Sequence, residues 1–340
     1  MLLVLHGAKR NVGDFLIRDR AVRLLEHLLP DQELRLHPRW RPISRDDAEH
    51  ADGIVLAGGP GLAKKFHPTV FPLVDDVRSL ATPVLPLGWS GRPKGHPEQF
   101  RFDTSSLAAI QSIHERIGWS SVRDLDSEFV LRGAGIDNVR MTGCVAWYEL
   151  RAPARPDPPD SIGHLVLTTP ASRRTNSLSR SRIRLMQSLS DRFPDAARTC
   201  AFHRGTGHGP HSNRASAIGH QALAAAARRA GYEVVDVSGD AAHIEFYREA
   251  DLHVGYRVHA HLAFLSAHRP SILLEEDGRG SGQARTLHPQ MRLGVGRGAV
   301  REAIDAVDRE LADGFPALRS SLQQMSETFP VMRETILQLA

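Results

Sequence analysis

The stretch Leu252-His253-Val254-Gly255-Tyr256-Arg257-Val258-His259-Ala260-His261 decides the fold class. Its first four residues form a mostly apolar run that is typical of a buried strand, and a polar tip and a helix-like apolar segment follow. A second apolar run begins at Ser271. This order predicts an α/β fold with a parallel sheet, in which ligands bind at the carboxyl ends of strands and at the N-termini of the following helices. We therefore expect Arg257 to hold an anion there, and His259 and His261 to bind substrate or move a proton.

Buried strands and helices alternate along the rest of the chain, which favours a doubly wound parallel sheet. Strands are predicted over residues 2–6, 34–36, 53–57, 83–88, 120–122, 139–142, 164–168, 198–202, 232–237, 252–255 and 271–274. Helices are predicted over residues 14–29, 69–80, 107–117, 127–133, 179–193, 218–230, 243–250, 260–267, 299–312 and 318–339. The proline-rich segment 151–161 has the composition of a linker. It predicts an N-terminal domain over 1–150, a C-terminal domain over 151–317 and a C-terminal helix over 318–340.

Composition narrows the class of protein. The chain has 340 residues, of which 41% are hydrophobic, enough for two compact domains. Cys144 and Cys200 form no motif, which favours a reducing, cytoplasmic compartment. The net charge is only +4 and no basic stripe is laced with aromatic residues, so nucleic acid is not an expected partner. Lysine occurs only at positions 9, 64, 65 and 94, so arginine dominates the basic residues, through a codon bias or through anion-binding arginines.

Two loops in the first half follow predicted strands. Asn11-Val12-Gly13-Asp14 follows the first strand. Asn11 and Asp14 are either helix caps or site residues, in which case Asn11 contacts substrate and the Asp14 carboxylate orients or deprotonates a hydroxyl. Gly58-Gly59-Pro60-Gly61 is either a tight turn or a loop whose N–H groups, around Gly59, approach a ligand. It is neither a complete dinucleotide fingerprint nor a Walker loop.

Arginines at two other strand ends are candidate anion ligands. Arg123 either clamps an anion or pairs with Asp124 or Asp126 on a solvated face. Arg173 follows the first strand of the second domain, where hydroxyls and paired arginines form either a phosphate or carboxylate cradle or a solvated loop.

A histidine-rich run covers residues 203–211. The spacing of its histidines does not match a zinc site, and the run contains no cysteine or carboxylate, so we predict no metal. His203 and Arg204 come directly off the strand predicted at 198–202 and are the members of the run best placed to bind substrate.

Taken in order, these motifs resemble the polysaccharide pyruvyl transferase family. The stretches that carry the resemblance are Asn11-Val12-Gly13-Asp14, Ala57-Gly58-Gly59-Pro60-Gly61-Leu62, Val122-Arg123-Asp124-Leu125-Asp126-Ser127, Thr142-Gly143-Cys144, Ala250-Asp251 and Arg257-Val258-His259-Ala260. The resemblance implies two Rossmann-like domains that face each other across a cleft in a GT-B-like arrangement, with the C-terminal helix crossing back to the first domain. It also implies transfer of an enolpyruvyl-derived group from phosphoenolpyruvate onto hydroxyls of a sugar or glycan, which forms a pyruvate ketal.

The same resemblance implies roles for the site residues. Arg257 matches the family's motif arginine and would bind phosphoenolpyruvate, with Arg123 and Arg173 as helpers. His259 matches the family's histidine and would protonate the methylene carbon or hold the departing phosphate, which suits an imidazole. Asp14 would orient or deprotonate the acceptor hydroxyl. The first domain would hold the acceptor and the second the donor, and no cofactor is implied beyond the donor substrate.

The identity of the acceptor stays open, and so do two alternative functions. The acceptor is a lipid-linked polysaccharide repeat, a teichoic-acid-type sugar or a small metabolite, and the pI of 9.4 favours an acidic or lipid-linked acceptor near a membrane. A GT-B-type glycosyltransferase would instead place Glu275 or Glu276 on the ribose hydroxyls of a nucleotide sugar. A non-catalytic sugar- or anion-binding protein of the same fold is favoured by Arg279, which stands where the family often has lysine. The sequence does not indicate an oligomeric state.

Overall fold

The computed structural model describes residues 1–91, 97–155, 157–170, 177–207, 214–296 and 298–340. Contacts among these residues divide the chain into two compact units. Unit 1 comprises Met1–Ala8, Ile17–Leu150 and Met325–Ala340, and unit 2 comprises Lys9–Leu16 and Arg151–Gln324. The domain limits at 150 and 317 stay a prediction.

Unit 1 is built on parallel strands. They are β1 (Leu2–His6), β2 (Leu34–Pro38), β3 (Gly53–Ala57), β4 (Val84–Leu87), β5 (Ser120–Val122) and β6 (Val139–Met141). The first four form a sheet in the order β2-β1-β3-β4, and β5 pairs with β6. An isolated parallel bridge between Trp89 and Val122 connects the end of β4 to β5. Every residue of β1 and β3 is buried, which explains why both strands read as continuous apolar runs.

The helices of unit 1 start at side-chain caps where the sequence supplies an Asp or Ser. The unit contains most of α1 (Val12–Leu28), together with α2 (Arg45–Glu49), α3 (Thr104–His114) and α4 (Leu125–Arg132). Asp103 accepts a hydrogen bond from the Ser106 amide at the start of α3, and Asp124 does the same for Ser127 at the start of α4. Both caps satisfy N–H groups that a helix cannot pair internally.

The helix predicted over residues 69–80 is wrong. The chain forms a short helical turn over Phe66–Val70 and a 3-10 turn over Val77–Ser79 instead. Pro68 and Pro72 lack the N–H groups that a continuous helix needs. The segment instead buries Phe66 and Phe71 against Trp89, with ring centroids 5.0 and 6.1 Å from the indole.

Unit 2 contains one parallel sheet of five strands. They are β7 (His164–Thr168), β8 (Ala197–Phe202), β9 (Glu233–Asp236), β10 (Leu252–Gly255) and β11 (Ser271–Leu273). Their order is β11-β10-β7-β8-β9. The chain moves outward from β7 to β9 and then returns to the other side of β7 to form β10 and β11. The strand order therefore reverses between β7 and β10, and in such sheets ligands bind at the carboxyl ends of the strands beside that reversal.

The helices of unit 2 flank this sheet. They are α5 (Ser177–Arg192), α6 (Arg214–Arg229), α7 (Val258–Ser266), α8 (Gly278–Leu287), α9 (Ala299–Ala312) and the first part of α10 (Pro316–Leu337). All residues of α7 are buried, as expected of a helix between the sheet and other elements. The helix predicted at 243–250 is a 3-10 helix over Ala241–Arg248.

The end of α10 packs within unit 1. The Trp119 indole N–H donates to the Thr335 hydroxyl at 2.9 Å, and the Trp119 amide donates to the Gln338 side chain at 2.9 Å. Met332 and Ile336 are fully buried. The predicted return of the C-terminal helix to the first domain is thus confirmed, together with the α/β class and the parallel sheets.

Candidate functional site

A pocket opens in unit 2 at the carboxyl ends of the strands beside the reversal of strand order. It is a partly open cleft with about 380 Å³ of space free of protein atoms, part of which is open solvent. Charged, aromatic and small side chains line it: Asn11, His203, Tyr256, Arg257, Val258, His259, Glu276, Asp277, Arg279 and Gly280. The site thus combines side chains from the loop before α1, the loop after β8, the start of α7 and the segment that enters α8.

Arg257 is the buried cation of this pocket. It occupies the N-cap position of α7, where no side chain caps the first turn, and only 7% of its surface is exposed. Its Nη2 donates to the Pro170 carbonyl at 3.3 Å, and its Nε has no hydrogen-bond partner among the described residues. Burial lowers the pKa of Arg257 to about 10, against the opposing effect of the Glu276 carboxylate, so the group stays charged at neutral pH. A buried guanidinium with a donor to spare favours an anionic ligand.

His259 lies against Gly13. A Cβ atom on Gly13 would stand 2.3 Å from Nδ1 and 2.8 Å from Cβ of His259, closer than non-bonded atoms approach. Only glycine therefore allows the first turn of α1 to reach the imidazole. His259 is 5% exposed and borders the pocket, so its ring is held in place by the α1 backbone.

The segment after β11 supplies further charged residues. Asp277 caps α8, and its carboxylate accepts three hydrogen bonds from the Arg279 guanidinium, the shortest at 2.8 Å. Burial lowers the pKa of Arg279, but Asp277, Asp14 and Glu276 outweigh burial and raise it overall. Arg279 is therefore a fixed cation, and one of the carboxylates that stabilise it is Asp14 in the first turn of α1.

His203 is buried beneath the pocket. Its Nε2 lies 2.9 Å from the Tyr247 hydroxyl, and its carbonyl accepts a hydrogen bond from the Val12 amide. Burial, with Arg257 nearby, lowers the pKa of His203 well below its usual value, so the ring is neutral. Arg204 lies near enough to Arg257 to lower its pKa.

His261 faces away from the pocket. Its Nδ1 lies 2.7 Å from the Ser271 hydroxyl and its Nε2 lies 2.9 Å from Nε2 of His288, and the side chain is fully buried. Residues two positions apart on a helix point about 200° apart at 100° per residue, so His259 and His261 lie on opposite faces of α7. The sequence pattern predicts that His261 binds substrate, but the structure places its side chain on the face of α7 that points away from the pocket.

Two of the predicted site residues belong to the other unit, and a third lies outside the described residues. Arg123 and Gly59 belong to unit 1. The Nε of Arg123 donates to the Asp124 carboxylate at 3.2 Å, but both residues are 2% exposed, so this ion pair is buried and does not lie on the solvated face that the sequence suggests. The Gly59 carbonyl accepts from the Ser90 hydroxyl at 3.3 Å. Arg173 lies outside the described residues.

Neither a metal centre nor a membrane span is found in the part of the chain that the structure describes. No three His, Cys, Asp or Glu side chains converge there closely enough to hold a metal ion. Among the described helices, none combines the length and the apolar character that crossing a membrane requires.

The sequence does not indicate a role for Tyr256, which lines the pocket, or the contact of Gly13 with His259. It does place the segment 275–279 beside Arg257 and His259, because this segment follows the strand next to β10 in the same parallel sheet. Three residues of that segment line the pocket: Glu276, Asp277 and Arg279.

The fold is that of a GT-B-like protein of two α/β units, and the pocket described above lies in unit 2. A model of the polysaccharide pyruvyl transferase family matches residues 11–278. The chain belongs to this family. No curated protein sequence matches it.

Solved structures share the fold at low sequence identity. The UDP-GlcNAc 2-epimerase from Neisseria meningitidis, bound to UDP-GlcNAc, superposes with a TM-score of 0.58 at 12% identity over 99% of each chain. MnaA from S. aureus, in a structure with UDP, gives 0.56 at 13% identity over 96% of this chain and 90% of its own. The wall teichoic acid polymerase TagF, soaked with CDPG, gives 0.50 at 12% identity over 99% of this chain and 88% of its own. At these identities the likeness shows the fold.

Proposed function

We propose that the chain transfers the enolpyruvyl-derived group of phosphoenolpyruvate onto hydroxyls of a sugar or glycan and forms a pyruvate ketal. The observation that carries the proposal is Arg257, a buried cation at the uncapped N-terminus of α7 in a pocket beside the reversal of strand order. Amide N–H groups at a helix start and a guanidinium both favour anionic oxygens. Phosphoenolpyruvate carries a phosphate and a carboxylate, so it has two groups of this kind.

His259 would supply the proton in this reaction. It borders the pocket next to Arg257, and Gly13 fixes its ring. A proton from His259 adds to the methylene carbon while an acceptor hydroxyl oxygen bonds to C2. The proton of that hydroxyl passes to a base, for which Asp14 is the candidate. The bond between C2 and the phosphate oxygen then breaks, and a second hydroxyl closes the ketal as its proton passes to the departing phosphate.

A nucleotide sugar is the second candidate donor. Glu275 and Glu276 are the two carboxylates considered for its ribose hydroxyls. Glu275 forms a two-point ion pair with Arg292 at 2.5 and 2.6 Å, whereas Glu276 lines the pocket. Glu276, which also lies 3.8 Å from the Arg182 guanidinium, is therefore the carboxylate that a ribose in the pocket would meet. The bound UDP and UDP-GlcNAc named for the structural neighbours support this alternative.

The acceptor and the compartment are part of the proposal. A sugar carried on a lipid would bring the chain to a membrane surface without a spanning helix, and the basic pI favours such an anionic surface. Both cysteines are buried and free, which suits a chain that works in the reducing cytoplasm.

Titration calorimetry of the purified protein tests the donor. Phosphoenolpyruvate, a UDP-sugar and a GDP-sugar are titrated into the wild type, Arg257→Ala and the control Arg301→Ala, whose arginine side chain is 89% exposed on α9. We expect saturable phosphoenolpyruvate binding that weakens roughly 10- to 100-fold in Arg257→Ala, the range for losing a charged hydrogen bond, and is unchanged in Arg301→Ala.

Binding of a nucleotide sugar without phosphoenolpyruvate binding would overturn the proposed donor and support the glycosyltransferase alternative. Binding of neither class would favour a non-catalytic member of the family.

A further inference from the structure

Three buried histidines form one hydrogen-bonded chain under the pocket. Two of them, His253 on β10 and His261 on α7, meet at the Ser271 hydroxyl, each with Nδ1 2.7 Å from it. His261 continues to His288 through Nε2 atoms 2.9 Å apart. At the other end, Nε2 of His253 lies 2.8 Å from the Thr168 hydroxyl. All five side chains are at least nine-tenths buried.

At both ends, this chain of hydrogen-bonded histidines meets a main-chain group of the protein. Nδ1 of His288 lies 3.1 Å from the Met291 carbonyl. The Arg257 amide donates to the Thr168 hydroxyl oxygen at 3.3 Å. Gly255 makes the second contact possible, because a Cβ there would stand 2.3 Å from the Thr168 hydroxyl oxygen.

The Met291 end fixes every proton in the chain of neutral rings. The Met291 carbonyl only accepts, so Nδ1 of His288 carries a proton and its Nε2 is a lone pair. Nε2–H of His261 must then donate to His288, which leaves Nδ1 of His261 to accept from the Ser271 hydroxyl.

The remaining links follow in the same direction. The Ser271 oxygen accepts from Nδ1–H of His253, and Nε2 of His253 accepts from the Thr168 hydroxyl. The Thr168 oxygen accepts from the Arg257 amide, a group that can only donate. Donation by the Arg257 amide is compatible with this direction, because the Thr168 oxygen keeps a lone pair for it, so the arrangement is self-consistent.

The charge states of the three imidazoles agree with these proton positions. Burial lowers the pKa of His253 to about 3 and lowers the pKa values of His261 and His288 below the usual range. The charged groups nearest this chain, Glu275 and Arg292, affect the pKa of His288 in opposite directions and pair with each other.

We infer that this histidine chain is a positioning device that holds the Arg257 main chain and, with it, the first turn of α7 at the pocket. This inference rests on the proposed function only for the identity of the ligand that the pocket binds. The chain ends at an amide and a carbonyl, neither of which exchanges protons with a substrate. It therefore fixes geometry and does not carry protons to the reaction.

Nitrogen-15 NMR of the imidazoles tests the proton positions directly. We expect neutral rings at pH 7 with the proton on Nδ1 of His253, on Nε2 of His261 and on Nδ1 of His288. A different tautomer at any of these rings, or a charged ring, would overturn the inference. This readout does not depend on any ligand.

A pair of variants at the far end tests the coupling to Arg257. Glutamine at 288 retains a donor for the Met291 carbonyl and an acceptor for His261, whereas leucine retains neither. In His288→Leu we expect amide hydrogen exchange at 257–260 to accelerate about tenfold and phosphoenolpyruvate binding to weaken about tenfold, the lower end of the effect of outer-shell partners at metal sites. His288→Gln should stay within about threefold of the wild type.

The outcomes separate the two proposals. Unchanged exchange at 257–260 in a folded His288→Leu protein would overturn the positioning role. If the leucine variant does not fold, Thr168→Val with Thr168→Ser as its hydroxyl-retaining partner makes the same comparison at the near end. Wild-type protein that binds no phosphoenolpyruvate would overturn the proposed donor, while the tautomer and exchange results would still decide the inference.

Discussion

Gly13 is a residue whose missing side chain admits the imidazole of His259. In Gly13→Ala the new methyl group must displace that ring, although alanine is the better helix former by ~1 kcal/mol in a helix interior. We expect phosphate release from phosphoenolpyruvate, measured with a mixture of sugar acceptors, to fall at least tenfold, because displacing a catalytic group by about 1 Å costs on the order of a hundredfold in rate.

Gly294→Ala is the matched control, because a Cβ at that position would meet no atom within 4 Å. It should keep wild-type activity and stability. A Gly13→Ala protein with full activity would show that the His259 ring position is not needed for the reaction.

Some residues of the candidate site can be predicted from the sequence pattern and others cannot. Arg257 and His259 follow from their place between a strand and a helix, because chain order alone brings that junction to the sheet edge. The contact between Gly13 and His259 does not, since it joins segments 246 positions apart and depends on atomic packing. His261 was misjudged because the pattern gave its position in the chain but not the helix face on which it lies.

Within unit 1, a buried ion pair ties helix α1 to the segment after β6. Arg20 and Glu149 are 2.6 Å apart with side chains 7% and 1% exposed. Glu149→Ala would leave the buried guanidinium without this carboxylate, so we expect the free energy of unfolding to fall by roughly 3–5 kcal/mol in denaturant titrations. The double variant Arg20→Met, Glu149→Leu should recover most of that loss, because it removes both charges.

Glu334→Ala is the comparison for this prediction. Its partner Arg140 is 3.1 Å away, but both side chains are about half exposed, so the expected loss is at most ~1 kcal/mol. Equal losses in Glu149→Ala and Glu334→Ala would contradict the role given to burial.

Elements differ in how well the sequence predicts them. The strands β1, β3, β7 and β10 have the bounds predicted from the sequence, because parallel strands covered on both faces are mostly apolar runs. Helix α8 escaped prediction, since three of its ten residues are glycine and its hydrophobic spacing is weak. Residues 69–80 show the opposite error, because a helix is predicted where none forms. Their apolar side chains pack into an aromatic cluster within an irregular segment.

At the scale of the whole molecule, buried histidines make stability depend on pH. Burial lowers the pKa of His253 from 6.5 to about 3 and lowers the pKa values of His203 and His261 well below 6.5. Below pH 6.5 the unfolded chain binds protons at these positions and the folded chain does not. The free energy of unfolding should therefore fall as the pH drops from 6.5 towards 3, by up to ~1.4 kcal/mol per pH unit for each such histidine.

Denaturant titrations at pH 7, 6 and 5 check this, since most carboxylates stay ionised in that window. We expect a clear loss of stability between pH 6 and 5 and little change between pH 7 and 6.5. Equal stability at pH 7 and 5 would show that these rings are protonated in the folded state.

The two compact units are interleaved along the chain, because residues 9–16 belong with 151–324 and residues 325–340 belong with the first unit. This arrangement limits how the gene can recombine with those of its relatives. A crossover at the proline-rich linker would combine Gly13 from one parent protein with His259 from another. The two residues of this contact would then come from different proteins. The part of the chain that must be exchanged as a whole is the discontinuous set of residues 9–16 and 151–324, because residues of both pieces line the pocket.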